Sequence, residues 1–243
     1  MTEGHTTLSL SHLTRAITAN GTRRVLVDDI SYSFACGTVY SVVGPSGAGK
    51  SSLLRLINRL DEPDSGEVRY NDRDYRELSP QELRRHIGYL FQTPYLFPGT
   101  VSENLRFAEA SLTDSQIAGL LDQVGLEPGV ASADVDTLSG GEKQRIAMAR
   151  LLATQPSVIL LDEPTSSLDP TSTRGIEKLI KRIAEERCLV AIMVTHEPEQ
   201  AVRLGGETLL LVKGRLVEHG PSEQVLNDPQ SDEGRRYKGM ELS

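Results

Sequence analysis

The sequence has no tryptophan, only two cysteines, and an aromatic content of 5%. Cys36 and Cys188 are too few for a disulfide framework and have no CxxC spacing, so they are expected as half-buried thiols in a reducing cytosol. Long apolar runs are also missing. The longest, Cys188 to Val194, falls far short of the roughly 18 residues needed to cross a bilayer. The opening Met1-Thr2-Glu3-Gly4-His5 has no basic stretch leading into an apolar one, so no secretory signal is expected. Positive charge is not in surplus: 26 Lys and Arg stand against 34 Asp and Glu, a net charge of −8. Such a surface repels nucleic acid and anionic lipid, so no nucleic-acid partner is expected. Low-complexity tracts and solenoid-period repeats are absent. What remains is 38% hydrophobic and 25% charged over 243 residues. That balance describes a soluble cytosolic globular protein of one large domain or two small ones.

Short apolar segments alternate with helical ones along the chain. Leu8-Ser9-Leu10 and Val25 to Ile30 read as strands around the turn-like Ala19-Asn20-Gly21. Thr38–Val43, Val158–Leu161, Leu189–Val194 and Leu209–Val212 read as buried core strands. Lys50–Asn58, Glu142–Ala153 and Thr171–Glu186 read as helices, which predicts an α/β fold with a mainly parallel core sheet. The stretch of about 94–153 has helical patterns without a convincing strand and is expected as a helical lobe inserted into that core. From Pro221 the tail turns polar, predicting one short helix and a frayed end.

Gly44-Pro45-Ser46-Gly47-Ala48-Gly49-Lys50-Ser51 fits GxxxxGK[ST] completely, after a strand and at the mouth of a helix, with Ser52 next inside it. Glycines let consecutive backbone N–H groups curl around a phosphate, and the helix N-terminus adds its positive dipole end. Lys50 is placed to bridge the outer phosphates and the Ser51 hydroxyl to ligate Mg²⁺. The chain is therefore expected to bind a nucleoside triphosphate. Val158–Leu161 supplies a second half of the site because it ends in Asp162-Glu163. Asp162 is expected to hold Mg²⁺, and Glu163 to act as general base on the attacking water.

Leu138-Ser139-Gly140-Gly141-Glu142-Lys143-Gln144-Arg145 reads locally as a helix start, with Ser139 and Glu142 forming a capping box. The capping box leaves the two glycines unexplained, since glycine weakens a helix. With the cradle before it and the Asp-Glu strand after it, this octapeptide resembles the signature of ABC-type ATPase domains. The resemblance covers about Leu8 to Gly220. It implies a single ABC ATPase domain over 1–243: a P-loop NTPase (RecA-like) core, an N-terminal antiparallel β subdomain and an inserted helical subdomain.

The same resemblance implies roles for further residues. Gln92 matches the Q-loop glutamine, a Mg²⁺ and water ligand. Ser167-Leu168-Asp169 resembles the D-loop that crosses to a second subunit, although Asp169-Pro170 also serves locally as a helix cap. His196 matches the switch histidine at the γ-phosphate. Two copies would close head-to-tail on two ATP, each cradle completed by Ser139, Gly140, Gly141 and Glu142 of the other. One position departs from the pattern: where such domains carry a ring that stacks on adenine, this chain has Ile17, and the nearby His12 reads as a surface side chain.

Three of the four phenylalanines, Phe91, Phe97 and Phe107, cluster with Tyr89 and Tyr95. This concentration resembles the groove where ABC ATPases receive a membrane subunit, while packing of the helical lobe is the alternative use of the same rings. A permease subunit docking near Gln92 to Phe107 is thus implied, with the chain peripheral on the cytoplasmic face of the membrane. The Gln92–Leu105 segment, without the acidic-glycine segment of fused exporters, is most similar to stand-alone iron-export ATPases and their plant aluminium-tolerance relatives. Phosphate-import ATPases come next. A soluble ATPase of iron–sulfur cluster assembly is a further alternative. A DNA-repair or chromosome-organising ABC ATPase is the other alternative; the short spacing between Lys50 and Ser139, without room for a long coiled coil, and the net charge of −8 argue against it.

Overall fold

The computed structural model describes residues 6–19 and 21–239. The chain begins with two long strands, β1 (Thr6–Ala19) and β2 (Thr22–Ala35), followed by β3 (Val39–Val43) and α1 (Lys50–Ile57). Asn20 of the expected turn lies outside the described residues. Next come β4 (Ser65–Tyr70), β5 (Arg73–Asp74), α2 (Pro80–His86) and β6 (Ile87–Leu90). A helical stretch follows, with α3 (Val101–Ala108), α4 (Asp114–Gln123) and α5 (Gly140–Ala153). The chain then alternates again through β7 (Val158–Asp162), α6 (Pro170–Arg187), β8 (Val190–Val194), α7 (Pro198–Leu204) and β9 (Glu207–Val212). It finishes with β10 (Arg215–Pro221), α8 (Ser222–Asn227) and α9 (Asp232–Lys238).

Two sheets result. One is antiparallel, in the order β2-β1-β4-β5; the other runs β10-β9-β3-β8-β7-β6 and is parallel except for β10. Every residue of β3, β7 and β8 is buried, as expected for parallel strands covered on both faces. Strand alternation divides their side chains between two cores. Val158, Leu160, Val190 and Ile192 face the antiparallel sheet and α1, with Leu8, Phe34 and Leu53. Ile159, Leu161, Ala191 and Met193 face the other way, toward Ile146 and Met148 of α5 and Ile176 and Ile180 of α6. Burying a side chain of this size stabilises by about 1.5–3 kcal/mol, so a one-residue slip of β7 would be costly. That register holds Asp162 at the strand's end.

Between Thr100 and Ala153 the described residues form helices, short 3₁₀ turns and one isolated bridge, Thr100 to Asp134. Val101, Leu105, Ile117, Leu121 and Leu152 bury their apolar faces in the core under Ile159 and Leu161.

Two expectations are corrected. The tail after Pro221 is two helices packed onto the molecule: Val225 and Leu226 bury against Val43, Leu210 and Val212, with Tyr237 beside them. Glu218 of β10 anchors α9 by accepting the backbone N–H groups of Gln230 (2.7 Å) and Ser231 (3.0 Å). Sparse apolar residues among many charges hide this packing in the sequence. Cys36 and Cys188, expected as separate thiols, are paired as a disulfide, with their Cα atoms 5.0 Å apart. The fold brings them together where β2 ends beside the start of β8, and Gly37 N–H donates to Leu189 O at 3.0 Å.

Candidate functional site

The loop from Gly44 to Gly49 is held by backbone on three sides. Gly44 and Gly49 have φ of 145° and 101°, which an L side chain rarely adopts. A Cβ on Gly44 would lie 2.0 Å from Leu211 O, and one on Gly49 would lie 2.0 Å from Leu26 O. Gly214, in the turn between β9 and β10, donates its N–H to Ala48 O at 2.9 Å. The cradle is therefore clamped between β2 and the β9–β10 turn. Only glycine fits at its two tightest points.

Lys50 opens α1, whose N-cap Gly49 makes no side-chain cap. Its Nζ donates to Gly44 O (2.8 Å) and Pro45 O (2.9 Å). Burial pulls the Lys50 ammonium below the ordinary lysine value, while the Glu163 and Asp162 carboxylates oppose that shift. The Ser51 hydroxyl donates to Asp162 Oδ1 at 2.8 Å, joining the cradle to the end of β7. Tyr89 of β6 donates its hydroxyl to the other oxygen, Oδ2, also at 2.8 Å. Burial, followed by the Asp162 charge, raises the Tyr89 phenol, so it stays a donor.

Glu163 follows β7 with a left-handed φ of 50°, turning its side chain toward the cleft. Its backbone N–H donates to Val194 O at 3.2 Å, tying it to the end of β8. Gln92 Nε2 donates to Glu163 Oε2 at 3.0 Å, and His196 Nε2 contacts Glu163 Oε1. Gln92, Asp162, Glu163 and His196 thus meet with Lys50 and Ser51 from four separate elements. A cleft of about 340 Å³ opens beside this cluster, lined by Ser46 through Ser52, Glu163 and His196.

Arg24 and Leu26 of β2 also line this cleft, and Arg24 Nη2 donates to Gly47 O at 3.3 Å. Neither was legible as a site residue, because each lies on a strand far upstream with no motif around it. Arg24 is the register partner of Ile17, which itself is not in the lining. His12 is exposed and pairs with Asp29 at 2.8 Å.

The signature residues lie apart from this cleft. Ser139 accepts the Glu142 N–H at 3.3 Å, while Glu142 Oε2 accepts from Ser139 N (2.9 Å) and Oγ (2.6 Å), completing the capping box. Ser139 and Gly140 are exposed. Asp169 caps α6 by accepting the N–H groups of Thr171 (2.9 Å) and Ser172 (3.1 Å), and the Ser172 side chain, followed by these N–H groups, holds its carboxyl below the usual value. A second cleft, about 380 Å³, is lined by Tyr89, Phe91, Tyr95, Phe97, Phe107 and Arg150 among others. Phe91, Tyr95 and Phe107 remain largely exposed there. No helix among the described residues is long and apolar enough to cross a membrane.

The family model described as ABC transporter matches residues 27–166. Protein STAR1 of Oryza sativa subsp. japonica is 43% identical over 211 residues, which cover 85% of this chain and 60% of that protein. Methionine import ATP-binding protein MetN 2 of Shouchella clausii (strain KSM-K16) is 37% identical over 246 residues, covering 97% and 72%. The chain therefore spans about three fifths to three quarters of the length of these two relatives. Among solved structures, CbiO1 from Clostridium perfringens, described as part of the ABC transporter complex cbiONQ, matches with a TM-score of 0.83 and 26% identity, covering 92% of this chain and 91% of that one. The dimeric cassette MJ0796, bound to ADP and Pi after hydrolysis, matches with a TM-score of 0.78 and 30% identity, covering 88% and 98%.

Proposed function

The chain belongs to the ABC transporter family as an ATP-binding and ATP-hydrolysing subunit, and from this premise we propose how its residues divide the work. The observation that carries the reading is the Glu163 carboxylate, held between Gln92 and His196 at the mouth of a glycine cradle.

The cradle suits a polyphosphate, since its close backbone approaches leave N–H groups free of side chains, and Lys50 supplies the cation for the outer phosphates. Ser51 and Asp162, already 2.8 Å apart, are the oxygen donors that suit Mg²⁺, with Gln92 beside them. When bound, Mg²⁺ offsets the negative charge of the outer phosphates. Glu163 takes the proton of the attacking water as general base. His196 and Gln92 orient that carboxylate and face the γ-phosphate. Ser46, Gly47, Ala48, Gly49 and Ser52 complete the ATP contacts within one chain.

The exposed N-terminus of α5 serves a second copy. Ser139, Gly140, Gly141 and Glu142 close on the partner's ATP with the positive end of the helix dipole, and Asp169 crosses at the same interface. MJ0796, whose cassette is dimeric with ADP and Pi, supports this reading. The aromatic cleft beside Gln92 is the proposed docking surface for a separate membrane-spanning subunit, with this chain on the cytoplasmic face of a membrane. The relation to CbiO1, part of a transporter complex, supports that role. The Gln92–Leu105 segment favours metal export, whereas MetN 2, named for methionine import, favours the reverse direction. Co-purification of the membrane subunit and uptake or efflux assays on it separate the two directions. Capture of a soluble scaffold instead would favour cluster assembly.

Glu163→Gln is the test of the chemistry. It should lower hydrolysis by about 10²–10⁴ while ATP binding survives, because Lys50, Ser51 and the cradle are untouched. Unhydrolysed ATP should then hold two copies together, giving an ATP- and Mg²⁺-dependent dimer in gel filtration. A near wild-type rate would move the base elsewhere. An inactive monomer would remove the two-copy step.

A further inference from the structure

A buried polar cluster lies directly beneath Glu163 and His196, and neither the phosphate chemistry nor the dimer contact uses it. Gln200 of α7 is 1% exposed. Its Nε2 donates to Thr165 Oγ1 (2.9 Å) and to Glu177 Oε1 of α6 (3.0 Å), and its Oε1 accepts the Thr195 hydroxyl at 2.6 Å. Arg203 of α7 grips Glu177 through both carboxylate oxygens, at 2.7 and 3.1 Å. Thr195 Oγ1 also accepts the Glu197 N–H at 3.0 Å, which commits its own proton to Gln200. Every polar atom of the Gln200 amide has a partner: both N–H bonds donate and the oxygen accepts. Glu177, an acceptor only, fixes which way that amide points.

The two threonines are what give the cluster its reach. Thr165 lies two residues beyond Glu163 in the loop after β7, and Thr195 is the residue before His196 at the end of β8. Resting on the function proposed above, we propose that Gln200 is a positioning residue that sets Glu163 against His196. One rigid, fully bonded amide joins the two loops, so the carboxylate and the imidazole share one frame. Glu177 and Arg203 hold that amide in one orientation. An apolar side chain of the same size would pack α7 equally well but leave the two loops unjoined.

The test pairs Gln200→Leu with Thr165→Val, the second lying outside the contact between α6 and α7. Each folded variant should keep KM and ATP affinity within about twofold while kcat falls by roughly 10–100-fold, the scale of a displaced reacting group. A role in packing alone would shift the melting temperature and leave kcat in place. Adding Thr165→Val to Gln200→Leu should cost no further rate, because both cut the same connection, and losses that multiply would overturn the proposal. A wild-type chain without ATPase activity would overturn this and the proposed function together. An active wild type whose rate is matched by both folded variants would overturn the positioning role alone.

Discussion

The helices α1 and α5 both have glycines at their N-terminal ends, and the reasons differ. At α1, Gly49 sits at φ 101° with Leu26 O where its Cβ would be, and no side chain caps the helix. At α5, Gly140 and Gly141 have ordinary negative φ, a Cβ on Gly140 would meet nothing within 4 Å, and a full capping box is present. On Gly141 the nearest atom would be the Ser172 hydroxyl, at 3.1 Å. The chain's own backbone demands the first set of glycines. Very little in this chain demands the second, so the empty space in front of α5 has to be explained by something that comes to it.

Gly49→Ala is the harshest test of that contrast. It should destabilise the fold by about 3 kcal/mol or more and abolish ATP binding, measured by urea unfolding and calorimetric titration. Retained affinity would show that the Leu26 contact yields. Gly140→Ala should do the opposite to stability, gaining up to about 0.5–1 kcal/mol as alanine replaces glycine in a helix. Its ATP binding as a single chain should be unchanged, while ATP-driven dimerisation and turnover fall about tenfold or more, since the added methyl enters the space proposed above for a second copy's nucleotide. Unaltered turnover would make α5 an ordinary helix start.

Ser139→Ala sharpens the same comparison at smaller scale. Loss of the cap should cost about 1 kcal/mol in thermal unfolding, a cost that α1 cannot show because it has no such cap. The smallest effect concerns pH. Hydrogen bonds from the Ser139 side chain and backbone hold the Glu142 carboxyl below its ordinary 4.5. A depressed folded value stabilises above the unfolded one and is lost as pH falls through the folded value. The melting-temperature gap between wild type and Glu142→Gln should therefore be present above pH 4.5 and close on acidification; a constant gap would mean that the charge contributes nothing to the cap.

What was legible in the sequence was local. The cradle, the Asp162-Glu163 strand end and the capping box are each contiguous strings whose spacing reports a turn, a strand or a helix start. The α/β alternation followed from four apolar runs that are buried on both faces. Less visible were contacts between distant segments. Arg24 reaches the cleft from β2, and Tyr89, readable only as one ring of an aromatic cluster, turns its hydroxyl onto Asp162. Cys36 and Cys188 are 152 residues apart and meet only because β2 ends beside β8. The packing of the tail is hidden in the sequence because Val225, Leu226 and Tyr237 are too few among charges to show a period, although they cover Val43 at the base of the cradle.

The place of β3 between β8 and β9 also governs when the site comes into being. Leu211 and Gly214, which close the cradle from behind, leave the ribosome about 160 residues after Ser51 at the end of the motif. At about 5–20 residues per second, the intervening stretch takes roughly 10–30 s to synthesise. Throughout that time the phosphate-binding segment has β2 on one side but lacks the β9 strand and β9–β10 turn that close it from behind. ATP can therefore stabilise the finished protein but cannot guide the nascent one, and a chain truncated before β9 should carry the complete motif without the ability to bind nucleotide.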